Sequence, residues 1–122
     1  MPDNLTILLV DDSRVSRMLC AALIRSLRPA SVIVEAKDGA EALEVLGAHQ
    51  VDIAILDMNM PGMNGLELAA VLRAQYPQIK LAMLTANVQD SVRDTANALK
   101  VSFFRKPVTE TVVSAILTAL TH

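Results

Sequence analysis

With 122 residues, the chain has the length of one domain able to bury its own core. Apolar residues make up 52% of it, yet Tyr76, Phe103 and Phe104 are its only aromatics, so that core must be aliphatic. A net charge of −2 argues against nucleic acid or an acidic membrane as direct partner, and the single cysteine, Cys20, excludes an internal disulfide framework and suits the reducing cytoplasm.

The first apolar run, TILLV at 6–10, reads as a strand that ends in Asp11 and Asp12. It is too short to cross a bilayer, and the residues before it lack the basic start of a signal peptide. A helix follows over 13–27, with Val15, Leu19, Leu23 and Leu27 at helical spacing and Arg14, Arg17, Arg25 and Arg28 on the other side as a charged stripe. SVIVEA at 31–36 is the second strand, and Asp38 with Glu41 opens the second helix in the manner of a capping box. DIAIL at 52–56 is the third strand; it runs directly into Asp57 and the turn MNMPGMNG, after which Asn64 and Glu67 open the third helix. KLAMLT at 80–85 is the fourth strand, ending in Thr85, and a helix over 88–99 has a narrow apolar stripe of Val88, Val92, Ala96 and Leu99. VSFF at 101–104 is the fifth strand, running into Lys106-Pro107, and the last helix covers 109–120. Strands without polar alternation are covered on both faces, which requires a parallel sheet with helices on each side. The expected fold is therefore one doubly wound α/β domain, (βα)5, over residues 1–122.

In such sheets the chemistry lies just beyond the carboxyl ends of the strands. A parallel arrangement gathers Asp11, Asp12, Asp57, Thr85 and Lys106 on one edge. An aspartate at the end of an apolar strand is costly to desolvate unless a cation or a partner compensates it, and clustered carboxylates repel unless a divalent cation sits among them. Mg2+ suits the donors, which are hard oxygens, with water and phosphate completing the coordination. The lysine and the threonine hydroxyl can bind phosphate oxygens. Together these groups suit transfer of a phosphoryl group onto Asp57.

The blocks ILLVDDSRVSR, ILDMNMPGMNG, LTAN and FFRKP, in this order along the whole chain, resemble the receiver domain of two-component response regulators, in particular the chemotaxis-type single-domain members. The resemblance implies a flavodoxin-like fold with sheet order 2-1-3-4-5, the order for which the chemotaxis member is a standing example. It implies that Asp57 accepts a phosphoryl group from a histidine kinase or phosphotransfer protein, and that Asp11, Asp12, Asp57 and the backbone carbonyl of Asn59 hold Mg2+. It also implies that Thr85 and Lys106 bind the phosphoryl oxygens beside the small Ala86, that Thr85 and Phe103 form the switch, and that the Lys106-Pro107 bond is cis. Three residues depart from the family pattern. Phe103 replaces a tyrosine and has no hydroxyl to exchange; Lys100 stands where a glycine commonly ends the fourth helix in the left-handed conformation; and Asn87 occupies a position that bears on phosphoryl lifetime.

Three rival readings are weaker. A Mg2+ phosphohydrolase with an aspartyl-phosphate intermediate places a second aspartate two residues beyond the nucleophile, where this chain has Asn59, which cannot transfer a proton. A flavin binder needs a glycine- and hydroxyl-rich phosphate loop where this chain has DDSR. A receiver part of a longer DNA-binding regulator would carry its output domain beyond the last helix, and the expectation here is instead a single-domain receiver. The expectation is a cytoplasmic, non-enzymatic switch that uses Mg2+ and acts through protein contacts, with no direct nucleic acid or membrane partner. Arg14 or Arg17 is a candidate kinase contact. Met58, Met60 and Met63 read as packing, Cys20 as a small buried residue, and His49 and His122 as surface residues. On the last helix Val113, Leu117 and Leu120 should face the sheet, while Val112 and Ile116 lie on the shoulder. There they either extend the core or form an interface with a downstream protein or a second, phosphorylation-dependent copy of this chain.

Overall fold

The computed structural model describes residues 4–121; His122 lies outside the described residues. Elements alternate along the chain: β1 (Thr6–Val10), α1 (Arg14–Leu27), β2 (Val32–Ala36), α2 (Gly39–Ala48), β3 (Ile53–Leu56), α3 (Gly65–Gln75), β4 (Lys80–Thr85), α4 (Asp90–Ala98), β5 (Ser102–Arg105) and α5 (Glu110–Leu120). All strand pairs are parallel, and the sheet order is β2-β1-β3-β4-β5, as expected. Strand boundaries differ from the sequence reading by one residue at most.

The central strands alternate sides residue by residue, so each contributes to two cores. Ile7, Leu9, Ile53, Ile55, Ala82 and Leu84 pack with α1 and α5; Leu8, Val10, Ala54, Leu56, Leu81 and Met83 pack on the other face, with α2, α3 and α4. Helix starts follow local chemistry. Asn64 and Glu67 form a full capping box, whereas Asp38 accepts the Glu41 N–H but Glu41 reaches one residue further back, to the N–H of Lys37. No helix among the described residues is long and apolar enough to cross a membrane.

Three helix faces differ from the sequence reading: on α4, Val88 precedes the helix and is exposed, leaving Val92 and Ala96 as the buried stripe. On α1, Val15 and Leu19 are 71% and 46% exposed, and the buried row is Cys20, Ala21 and Ile24. Of the expected row, Leu23 and Leu27 still pack half-buried against that core, so the departure is confined to its first half. On α5, Ile116 is fully buried beside Val113, Leu117 and Leu120, while Val112 packs half-buried at the margin. Ile116 is therefore core, which decides between the two places left open for it and corrects the interface reading; periodicity alone does not resolve a shoulder position.

Candidate functional site

β1 and β3 are adjacent and in register, so their carboxyl ends deliver Asp11, Asp12 and Asp57 to one place. The Asp57 N–H donates to the Val10 carbonyl at 2.9 Å, and the Asp11 N–H to the Ala36 carbonyl at 3.1 Å, which extends the ladder one residue past each strand. Carboxylate oxygens of the three aspartates lie within 4.8 Å of one another. Asp57 is 7% exposed and Asp11 9%, while Asp12 is exposed.

Lys106 enters from the end of β5, after which the Lys106-Pro107 bond is cis. Its Nζ lies 2.9 Å from Asp11 Oδ2 and 3.5 Å from Asp57 Oδ2. Burial works against the ammonium, but the Asp11 hydrogen bond and the charges of Asp57 and Asp11 overcome this and hold its pKa above the ordinary lysine value. For Asp57, burial and then the charge of Asp11 raise the pKa; the Thr85 hydroxyl, Lys106 and the Met58 backbone pull it partly back. Asp57 is thus a carboxylate with unmet demand for positive charge. The donor set fits a hard divalent cation: three carboxylates converge, and one ammonium is shared between two of them. Asp11, Asp12 and Asp57 are the residues that could hold Mg2+, and Asn59, two residues beyond Asp57, is exposed.

Thr85 ends β4 fully buried, and its Oγ1 accepts the Asn87 N–H at 3.1 Å. Its register partner is Arg105, and Met83 is paired with Phe103, so Thr85 and Phe103 share one face of the sheet. Phe103 is half-buried against the core on that face. Asn87 Nδ2 reaches Asn59 Oδ1 at 3.4 Å, a long contact that bridges the two loops over the site. Ala86 is exposed. Met60 is buried, and Met58 and Met63 pack against it and its neighbours.

Cys20 is buried beneath the carboxylates beside a cavity of about 20 Å³, and burial, reinforced by the charge of Asp11, pushes its thiol up to about 12. The larger clefts, about 460 and 380 Å³, lie at the opposite edge of the sheet, the second beside the exposed His49.

The structure adds residues to which sequence reasoning gave no role. A side-chain carbon on Gly65 would come 2.2 Å from the Asp57 carbonyl oxygen, so only glycine lets α3 start against the backbone of Asp57. The G of MNG was the available signal. Arg73 of α3 donates to the carbonyls of Leu99, Lys100 and Ile79 at 2.8, 2.7 and 2.9 Å, tying down the end of α4. There Lys100 has φ 59, and the N–H groups of Lys100 and Val101 bond to the carbonyls of Asn97 and Ala96 at 3.0 and 2.8 Å. This is a Schellman ending, so the left-handed close survives without glycine.

The sequence pattern of the response regulator receiver domain matches residues 7–118. A protein-glutamate methylesterase/protein-glutamine glutaminase of Pyrococcus abyssi is 35% identical over 107 residues, 85% of this chain and 29% of the relative. The chain spans 29% and 30% of the length of two such archaeal relatives. Among solved structures, the chemotaxis protein CheY4 of Vibrio cholerae is similar with a TM-score of 0.86 and 26% identity, over 96% of this chain and 98% of that one. The signal receiver domain of an HD domain-containing protein of Pseudomonas fluorescens gives a TM-score of 0.89 at 25% identity, over 97% and 94%.

Proposed function

The chain belongs to the response regulator receiver family of two-component systems, and from that premise we propose that Asp57 takes a phosphoryl group from a phosphohistidine donor with the help of Mg2+. The observation that carries this reading is the place of Asp57: 7% exposed at the end of β3, inside the acid cluster, with Lys106 at 3.5 Å. An Asp57 carboxylate oxygen attacks phosphorus in line with the P–N bond. As the P–O bond forms, the P–N bond breaks, and the imidazole leaves with the electron pair and takes up a proton. Asp11 and Asp12, with Asp57 and the Asn59 carbonyl, are the groups to hold Mg2+, which when bound neutralises charge developing on the phosphoryl oxygens. The Lys106 ammonium, already between Asp11 and Asp57, and the Thr85 hydroxyl are the groups to receive those oxygens.

Two residues beyond Asp57 stands Asn59, whose amide cannot act as general acid or base. That favours a slow-decaying acyl phosphate and a switch over a turnover catalyst. Thr85, drawn toward the phosphoryl group, leaves space on the sheet face it shares with Phe103, and α4 and β5 adjust. The donor surface is the outward row of α1, where Val15, Met18 and Leu19 are 71%, 59% and 46% exposed near the site. Arg14, also exposed, stays a candidate contact there; Arg17 does not, because it is engaged internally. With Ile116 in the core, the output surface falls on α4, the rim of β5 and Val112, for a downstream protein or a second copy of this chain. The domain acts in the cytoplasm, where its donor's phosphohistidine is made.

The test is intact-mass spectrometry after incubation with a small phosphodonor. One added phosphoryl group is expected on wild type in Mg2+, and none on Asp57→Ala or in excess chelator. Undiminished modification of Asp57→Ala would end the assignment.

A further inference from the structure

Among the α1 arginines, Arg17 stands apart. Its side chain is 15% exposed, whereas Arg14 and Arg25 are exposed. Nε donates to Glu35 Oε1 at 3.0 Å and Nη1 to the backbone carbonyl oxygen of Asp11 at 2.5 Å. Glu35 lies on β2, in register with Leu9 of β1. A side chain from the first turn of α1 therefore reaches back across the β1–α1 loop and is braced on a neighbouring strand.

The carbonyl it holds belongs to the peptide unit that joins Asp11 to Asp12. That unit is planar, so fixing its oxygen fixes the plane, and with it the direction in which Asp12 leaves the chain. Asp11 has anchors of its own: Oδ1 accepts the Ser13 N–H at 2.9 Å and Oδ2 accepts from Lys106 at 2.9 Å. The exposed Asp12 carboxylate has no hydrogen-bond partner among the described residues, so its placement depends on the backbone before it.

We propose that Arg17, braced by Glu35, is a positioning residue for the acid pair. By pinning the Asp11–Asp12 peptide it sets the spacing of the carboxylates that take Mg2+, and so sets cation affinity. This rests on the cation reading of the cluster given above. The competing role for Arg17 is plain charge, and the two roles have opposite signs. A guanidinium close to a cation site repels the cation, so its loss as charge alone tightens Mg2+ binding. Its loss as a brace weakens binding, and outer-shell partners of this sort typically govern about 10- to 100-fold in metal affinity.

The test is a Mg2+ titration of the full, unphosphorylated chain, read by calorimetry and by the amide resonances of residues 10–13 and 57–59. Arg17→Ala is expected to raise Kd about tenfold. Glu35→Gln keeps an acceptor oxygen for Nε and should stay close to wild type. Glu35→Ala should fall between them, and the double variant Arg17→Ala with Glu35→Ala should be no worse than Arg17→Ala. If thermal melting shows that Arg17→Ala does not fold, Arg17→Lys replaces it; an ammonium reaches one of the two partners, and a several-fold weakening is expected. An unchanged or tighter Kd in the folded Arg17 variant overturns the proposal. A wild-type chain that binds no Mg2+ overturns the cation reading and the proposal with it, and the wild-type titration tells the two failures apart.

Discussion

α4 and α5 flank β5 from opposite faces of the sheet and are held there in different ways. α5 buries Val113, Ile116, Leu117 and Leu120, and its first turn is capped by Thr109, whose Oγ1 accepts the Val112 N–H at 3.2 Å. α4 buries only Val92 and Ala96, and Gln89 at its start gives it no side-chain cap. What holds α4 is concentrated at its far end, in the Schellman close and the Arg73 clamp. Segments with few buried apolar contacts open at low free energy. A new charge at Asp57 should therefore be answered in α4, anchored at its C-terminal end and free at the end nearest the site, while α5 stays fixed.

The largest effect is expected from charge placed in the α5 core. Ile116→Glu buries an uncompensated carboxylate and should unfold the domain, whereas Val112→Glu, at the margin, should leave a cooperative melt. A folded Ile116→Glu chain would erase the contrast between the two helices. Next comes Arg73→Ala, which removes three carbonyl contacts and should cost about 2 kcal/mol in urea unfolding. Its amide exchange should quicken over 90–101 and not over 110–120; equal quickening would mean that both helices belong to one cooperative unit.

The edge between the helices supplies a pH-dependent effect. Burial and the charge of Asp11 raise the pKa of Asp57 above its ordinary 3.8. Folding therefore favours the protonated form. That contribution is full below the ordinary value and is lost as pH rises through the raised one. Asp57→Asn, neutral at every pH, should melt a few degrees above wild type near pH 7.5, and the gap should close by about pH 3. Saturating Mg2+ should narrow the gap at neutral pH as well. The smallest effect is at the α4 close, where Lys100→Gly removes a left-handed lysine. Relief of about 1 kcal/mol there is partly offset by the added freedom of the unfolded chain, so a gain of a few tenths is expected.

The strand ends were legible from sequence because a parallel sheet turns five separate apolar runs into one edge, so Asp11, Asp57, Thr85 and Lys106 could be placed together without coordinates. Helix starts at Asp38 and Asn64 were legible because capping is local. What was not legible depended on tertiary neighbours. Leu19 lies in the apolar row of its wheel and Ile116 on a shoulder, yet Leu19 is 46% exposed and Ile116 fully buried, because packing depth is set by the facing element. Arg17 looked like part of a solvated stripe because its partners lie on β2 and in the backbone of Asp11. Lys100, read as a departure from the glycine that commonly ends this helix, still closes α4, and the clamp that supports it comes from α3. Gly65 could be suspected of a turn, but not of touching Asp57.

Hydrogen exchange of the whole chain in Mg2+, with and without a non-hydrolysable phosphoryl analogue bound at Asp57, tests the central claim most directly. Protection should change over 85–104, beginning at Thr85 and the free end of α4, and remain unaltered over 110–120. Unchanged exchange over 85–104, or a change confined to α5, would contradict it.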